Sequence, residues 1–520
     1  MFSKYMVLKR LAGQTSFRIS CCLAVALFAS VATPTGRPTR DGKASSSPRL
    51  PSVLEATRFS GSLVGIQYET WFTPGNAGSW ETAEAVPVLG KYNSFDANVL
   101  RKHAEWFEDL GVNWLLLDWS NMLWTKPDWE NHQGASHELE ESTLLLFKTY
   151  RKLETEGKHP PKLVLMVGLQ NGPVVPRAVQ RLNGIIAWTK TNFLDKPEFK
   201  DLWLYYHGKP LLVILFFTPN PCVDFRKLTS DTPLEARDWT VRWMASQLED
   251  NHADRCGMWS WMDGPIRQIV THNQGIPEEA VVTPASFPFP GKGWLHPAAV
   301  GRDHGSPYLR SWKVAFESRP KFIQIHQWNE FAGQKEGQGM PADYWGEPAE
   351  MSSSGQRPSN VYADEYNLEL SDDIEPVQMD KCAYRGCGGW GYYYLNLTKA
   401  ILSLYRGATP DITVMTLSGP FQPAAVKEKE LLLKWEILGK RPSTFTVQLD
   451  GKVVAGHLQG QSYPLSLTGV PAGKHRVTVI ADGAHTYFDL SPAELTSRSN
   501  KPLPVASTIE FTFPADRGRK

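Results

Sequence analysis

Apolar runs recur along most of the chain, each bounded by polar or Gly/Pro-containing stretches. Residues 63–68, 112–117, 162–168 and 210–216 are nearly continuous apolar segments. Such runs read as strands buried on both faces. Residues 240–244, 257–261, 280–283 and 322–326 supply four more, of which the first and third are short. Between them, residues 97–110 and 138–156 repeat apolar positions at helical spacing. This alternation predicts an α/β fold with a parallel sheet. Eight strands over roughly 350 residues fit a (β/α)8 TIM-type barrel with long loops. A doubly wound open sheet is the alternative, but no glycine-rich fingerprint follows the first strand.

From Thr413 the period changes to two. Residues 431–437, 445–449, 452–454 and 475–480 are short strands, and Asp450-Gly451 is a hairpin signal. This predicts a small antiparallel β-sandwich of immunoglobulin-like type, about 100 residues long. The expected division is a barrel over 58–408 and a sandwich over 411–515.

The N-terminus adds a different pattern. Lys4, Lys9, Arg10 and Arg18 precede the short apolar run 21–29, and Ser30-Val-Ala32 supplies small residues for cleavage. Residues 1–32 therefore read as an export signal, with an uncleaved anchor as the alternative. The run is too short for a comfortable membrane span, so no stable span is expected after cleavage. Residues 33–57, rich in Pro, Ser, Thr and Arg, read as a disordered spacer. A secreted, periplasmic or cell-surface location follows. Beyond the signal, export permits disulfides among Cys222, Cys256, Cys382 and Cys387. Their spacing resembles no zinc site.

Charge excludes more than it suggests. A net charge of +1 gives no reason to expect nucleic acid or acidic lipid as a partner. Nineteen Trp and seventeen Tyr read first as a large aromatic core, with a minority, clustered beside strand-end carboxylates, expected to line a groove.

The chemistry gathers where strands end, which is where a parallel barrel presents its active site. Those ends carry Glu69, Asp118, Gln170, Asn171, Asp263, His326, Asn329 and Glu330. Structural roles compete for each: Asp263 precedes Gly264-Pro265 and suits a turn. Glu330 ends the last strand beside Trp328, and a partly desolvated carboxyl suits acid or base work. The segment 364–375 adds six acids in twelve residues, interleaved with Tyr366, Leu368, Leu370 and Ile374. That interleaving predicts a segment that packs back onto the barrel mouth. Carboxylates among aromatic rings suit sugars, since carboxyls cleave glycosidic bonds and rings stack on pyranose faces.

Residues 92–96 (Tyr-Asn-Ser-Phe-Asp), 111–119 (Gly-Val-Asn-Trp-Leu-Leu-Leu-Asp-Trp), Asn329-Glu-Phe331 and Asp373-Ile-Glu-Pro376 resemble the glycoside hydrolase family 71 and 99 group, which includes endo-acting α-mannosidases. The resemblance spans roughly residues 60–405 and implies a (β/α)8 barrel. In family 99 the last strand carries Asn-Glu-Trp-His-Glu-Gly, followed soon by Ile-Glu-Pro. The first Glu of that motif falls on Glu330; there it is the base that helps the substrate 2-hydroxyl attack its own anomeric carbon. The second Glu, the general acid, would fall on Gly333, so this chain departs from the pattern. Anchored on Ile374-Glu-Pro376 instead, the acid falls nearest Glu369. Asp372 and Asp373 compete, ahead of Glu336 and Glu365.

The expectation is an exported glycoside hydrolase acting on an oligo- or polysaccharide. Glu330, Glu369 and Asp373 are its candidate catalytic carboxylates. Glu69, Asp118, Trp119, Asn171, Asp263, His326, Trp328 and Asn329 are candidate sugar-binding residues. No metal and no organic cofactor is implied. The competing class is a carbohydrate-binding or cell-surface protein on a barrel without catalysis. A peptidase or esterase lacks its motifs, with no Gly-x-Ser-x-Gly and no His-Glu-x-x-His.

Overall fold

The computed structural model describes residues 61–74, 80, 83, 85–120, 131–171, 176–217, 220–247, 253–263, 268–285, 302, 305–331, 340–341, 360–361, 371–382, 390–418, 429–484 and 505–513. The predicted signal, the spacer, Glu369 and the Cys382–Cys387 pairing lie outside these residues. So do the side chains of Asn171 and Asp263.

Eight parallel strands form a nearly closed barrel: β1 (Leu63–Tyr68), β2 (Trp114–Trp119), β3 (Lys162–Asn171), β4 (Lys209–Phe217), β5 (Thr240–Gln247), β6 (Trp259–Asp263), β7 (Ile276–Val282) and β8 (Phe322–Ile325). Backbone ladders run from β6 through β5, β4, β3, β2, β1 and β8 to β7. At the seam between β6 and β7, side chains make the connection. Glu279 Oε2 accepts the Ser260 N–H at 3.0 Å, and Trp259 Nε1 donates to Glu278 at 2.9 Å.

Strand alternation divides the apolar side chains into two layers. Trp114, Leu116, Met166, Val213, Trp259 and Phe322 meet inside the barrel. There the Trp114 and Trp259 rings pack on Phe322 at 6.0 and 5.1 Å. A Cβ at Gly65 would sit 2.1 Å from the Trp114 ring, so this strand position needs glycine. The intervening residues, such as Ile66, Leu115, Leu117 and Leu165, face the surrounding helices. Those helices are α1 (Ala97–Leu110), α2 (Ala135–Thr155), α3 (Ala178–Thr189), α4 (Pro221–Asp231), α5 (Ser306–Ser318) and α6 (Tyr393–Tyr405). The Asp96 side chain caps α1 by accepting the Asn98 N–H, and Gly111 ends it at φ 75°.

Two crossovers differ from a strict βα repeat. Between β5 and β6 the described residues form only a short 3-10 turn, Ala253–Cys256, joined to α4 by a Cys222–Cys256 disulfide. That connection is too short for a helix and two loops. Ahead of β7, Thr271–Asn273 pairs antiparallel with it through a Gln274-Gly275 turn, both residues at positive φ.

The C-terminal part is an antiparallel sandwich. Thr413–Ser418, Glu430–Gly439 and Ser462–Ser466 form one sheet. Lys452–Leu458, Thr444–Leu449, Gly473–Asp482 and Val505–Phe513 form the other. Leu433, Trp435, Phe445, Val477 and Phe511 share its core. No described helix is long and apolar enough to cross a membrane.

Candidate active site at the barrel mouth

The rim where the parallel strands end collects buried polar groups. In β2, Asp118 continues the inward series Trp114, Leu116 and is buried. In β1, Gln67 takes the corresponding inward position, and Glu69 follows two residues later. In β8, Gln324 and then His326 share that face. Gln67 joins these elements. Its Nε2 lies 2.6 Å from Asp118 Oδ2, 3.1 Å from Gln327 Oε1 and 3.5 Å from Glu69 Oε1. Its Oε1 accepts from His326 Nδ1 at 3.0 Å and Gln324 Nε2 at 3.4 Å. Because that oxygen can only accept, His326 carries its proton on Nδ1. Burial lowers the His326 pKa to about 3, so the ring is neutral. Its Nε2 faces Asp372 Oδ2 at 3.8 Å, and its ring meets Trp261 edge-on at 4.8 Å.

Three carboxyls share this cup. Burial raises the Glu69 pKa well above the ordinary range, and the nearby charges of Asp118 and Glu330 raise it further. Burial also raises the Asp118 pKa, but hydrogen bonds from Ser120 and Trp261 oppose it. Both carboxyls are thus held above their ordinary range, Glu69 the more strongly, so of the two it keeps a proton to higher pH. Glu330 is the third, buried at the end of the strand it follows.

The backbone of Glu69 is held by Asn329. The Asn329 Oδ1 accepts the Glu69 N–H at 2.9 Å, and its Nδ2 donates to the Glu69 carbonyl at 3.1 Å and to Tyr92 Oη at 2.9 Å. Tyr92 donates to Glu375 Oε2 at 2.7 Å, and His103 bridges Glu375 Oε1 (3.2 Å) and the Tyr68 hydroxyl (2.9 Å). All six side chains are buried.

The segment 371–377 returns to the mouth. Asp372 O accepts the Gln327 N–H, and the Ile374 and Glu375 N–H groups donate to Gln327 O and Trp328 O. Asp372 Oδ1 accepts the Ala285 N–H at 2.6 Å. Asp373 is buried against the Glu330 backbone rather than standing opposite it.

Two expected sugar contacts face elsewhere. Trp119 follows Asp118 in the strand, so it points outward. There its Nε1 donates to Thr143 Oγ1 of α2 at 3.0 Å. Trp328 packs on His103, Trp106 and Phe107 of α1, with ring centroids 4.7 to 5.9 Å apart. Neither lines the mouth: Trp119 because adjacent strand residues face opposite sides, and Trp328 because its ring is taken up by the packing against α1. Gln67, Gln327, Tyr92 and Glu375 were not singled out from sequence. The inward phase of β1 would have found Gln67; the others depend on long-range packing. Among the described residues no cluster of three or more His, Cys, Asp or Glu is arranged to hold a metal ion.

No family model and no curated protein matches the chain. Solved structures resemble it at low identity. The GH99 endo-alpha-mannosidase from Bacteroides thetaiotaomicron, in complex with bis-tris propane, is 18% identical, with a TM-score of 0.44 over 67% of this chain and 98% of its own. An endo-beta-1,4-mannanase from Thermotoga petrophila is 11% identical, with a TM-score of 0.31 over 89% of this chain and 100% of its own. Fibronectin(III)-like modules of CbhA from Clostridium thermocellum are 14% identical, with a TM-score of 0.15 over 20% of this chain and 100% of their own. At scores this low, the function of this chain rests on its own residues.

Proposed function

We propose that this chain is an exported glycoside hydrolase on a barrel of the family 71 and 99 type, with an acid and a water-attack step of its own, acting on an oligo- or polysaccharide. The observation that carries the reading is the cup of three buried carboxyls, Glu69, Asp118 and Glu330, in which burial and the two neighbours raise the Glu69 pKa well above the ordinary range. A carboxylic acid held protonated beside ionised neighbours is suited to protonate a leaving group. Glu69 gives its proton to the glycosidic oxygen as the bond to the anomeric carbon breaks. Water adds at that carbon and passes a proton to Glu330. Asp118 is then the neighbour that sets the Glu69 proton affinity, and neutral His326 and Gln327 offer polar contacts to sugar hydroxyls.

The test is incubation of the purified protein with a glycan panel, with products read by mass spectrometry. The expected result is cleavage of at least one glycan, reduced ~100-fold or more by Glu330→Gln with the fold intact. Near-normal turnover in that variant would remove Glu330 from the mechanism. One observation favours a second reading, a binding protein without catalysis. Asp373, a candidate second carboxylate, has both oxygens engaged by neighbouring donors. Glycan binding with no product from any glycan would decide for it.

A further inference from the structure

The loop that returns to the mouth carries Asp373 fully buried. Its Oδ1 accepts the Glu330 N–H at 2.5 Å and its Oδ2 accepts the Ser371 hydroxyl at 2.9 Å. The Asp373 N–H donates back to Ser371 Oγ at 3.2 Å. Arg302 closes the arrangement. Its Nη2 donates to the Asp373 carbonyl at 2.6 Å and to Ser371 Oγ at 3.2 Å. Its guanidinium lies over the Trp390 ring at 3.7 Å and the Tyr394 ring at 4.4 Å. The cation is thus anchored on α6 and its approach.

These bonds dictate which atoms carry protons. Ser371 Oγ accepts from Arg302 and from the Asp373 N–H, which uses both its lone pairs. Its own hydrogen must therefore point to Asp373 Oδ2. A proton on Oδ2 would confront that hydrogen, and a proton on Oδ1 would confront the Glu330 N–H. Either would set donor against donor in a buried place, which is costly. Asp373 is held as a carboxylate by donors on both oxygens, and a charged acceptor strengthens its bond to the backbone.

We propose that Asp373 is a positioning residue rather than the second catalytic acid. Its carboxylate fixes the Glu330 amide and so aims the Glu330 side chain into the cup, with Arg302 and Ser371 fixing Asp373 in turn. This role rests on the hydrolase reading where activity is measured, but the clamp itself does not.

The experiment compares Asp373→Asn with Asp373→Ala in the full chain. Asparagine keeps an oxygen for the Glu330 N–H and cannot act as an acid; its Nδ2 faces Ser371 Oγ, which accepts it by turning its own hydrogen away and giving up the long bond from the 373 N–H. The expected outcome for Asp373→Asn is a turnover within ~10-fold of wild type, the scale of one weakened hydrogen bond. Its pH profile keeps the wild-type shape. Asp373→Ala is expected to lose ~100-fold in kcat with KM little changed, as for a displaced catalytic group. Hydrogen–deuterium exchange of the 327–331 peptide gives a readout free of activity. It rises in Asp373→Ala and stays at the wild-type level in Asp373→Asn. A loss beyond ~10-fold in Asp373→Asn with unchanged exchange overturns the proposal and makes Asp373 an acid. Unchanged exchange in a folded Asp373→Ala overturns the clamp. Should Asp373→Ala fail to fold, Asp373→Asn alone decides. Should the wild type cleave no glycan, the hydrolase reading falls while the exchange measurement still judges the clamp.

Discussion

Glu69 shows how a single side chain acquires a chemical role from its surroundings. An exposed glutamate gives up its proton below neutral pH. Burial, then the charges of Asp118 and Glu330, hold this one protonated well above that range. As an acid catalyst it would contribute below its raised pKa, and the contribution would fade as pH rises through it. Removing a negative neighbour lowers that pKa. Asp118→Asn should therefore move the alkaline limb of the kcat/KM profile to lower pH, because that limb reports the acid of the free enzyme. The check is a pH–rate series on both proteins with whichever glycan is cleaved. An alkaline limb that stays in place would assign the proton donor to another group. The place of both residues was legible beforehand, since Glu69 and Asp118 end apolar runs, but a reading of the sequence assigns them sugar contacts and puts the acid at Glu369 or Asp373. The choice of Trp119 beside Asp118 was self-contradictory, because consecutive strand residues cannot both enter one cup.

At the level of elements, the two rims of the barrel use carboxylates in opposite ways. Glu278 lies near the start of β7, at the rim away from the mouth. It accepts from Arg242 of β5 at 2.7 Å, Trp259 of β6 at 2.9 Å, Asn273 of the adjoining hairpin at 3.1 Å and Tyr206 at 2.9 Å. Burial alone would raise its pKa, but the donors led by Arg242 outweigh burial and hold it at about 2. A depressed carboxyl contributes stability that is complete above the unfolded-chain value of 4.5 and is lost as pH falls toward about 2. Urea melts from pH 7 to pH 2 should show that loss in the wild type. Glu278→Gln should be less stable at pH 7 yet lose less between pH 5 and pH 2. Parallel slopes in the two proteins would contradict this. The eight strands themselves were readable, since each is an apolar run with polar ends. What sequence did not reveal was the seam, where β6 and β7 meet through Glu278, Glu279, Trp259 and Ser260 instead of a backbone ladder. Side-chain bridges of this kind leave no periodic signature. The network behind Asn329 was hidden for the same reason, because Tyr92, His103 and Glu375 meet only after the chain has closed.

On the scale of the whole molecule, the sandwich is joined to the barrel through apolar surface. Ile412, Val414 and Leu438 belong to the same buried cluster as Leu397, Ile401 and Tyr405 of α6. A chain ending at Gly407 would uncover that patch. The expected outcome is a folded barrel with a lower Tm than the full chain, read by calorimetry, and with any glycan cleavage retained. Aggregation of the shortened chain, relieved only by the sandwich, would show that the two parts are inseparable. The switch of hydrophobic period near Thr413 was visible, whereas the shared core was not, since patterning tells which side chains are buried but not against what. The Cys222–Cys256 bond has a reach beyond the shape of one crossover. It closes a loop of 34 residues, which in the chain-entropy account limits the unfolded ensemble by about 3–4 kcal/mol. A preparation exposed to thiol reductant and one kept oxidised would then be two proteins of unequal durability with one sequence, and the redox history of a sample becomes as much a variable of its behaviour as temperature or pH.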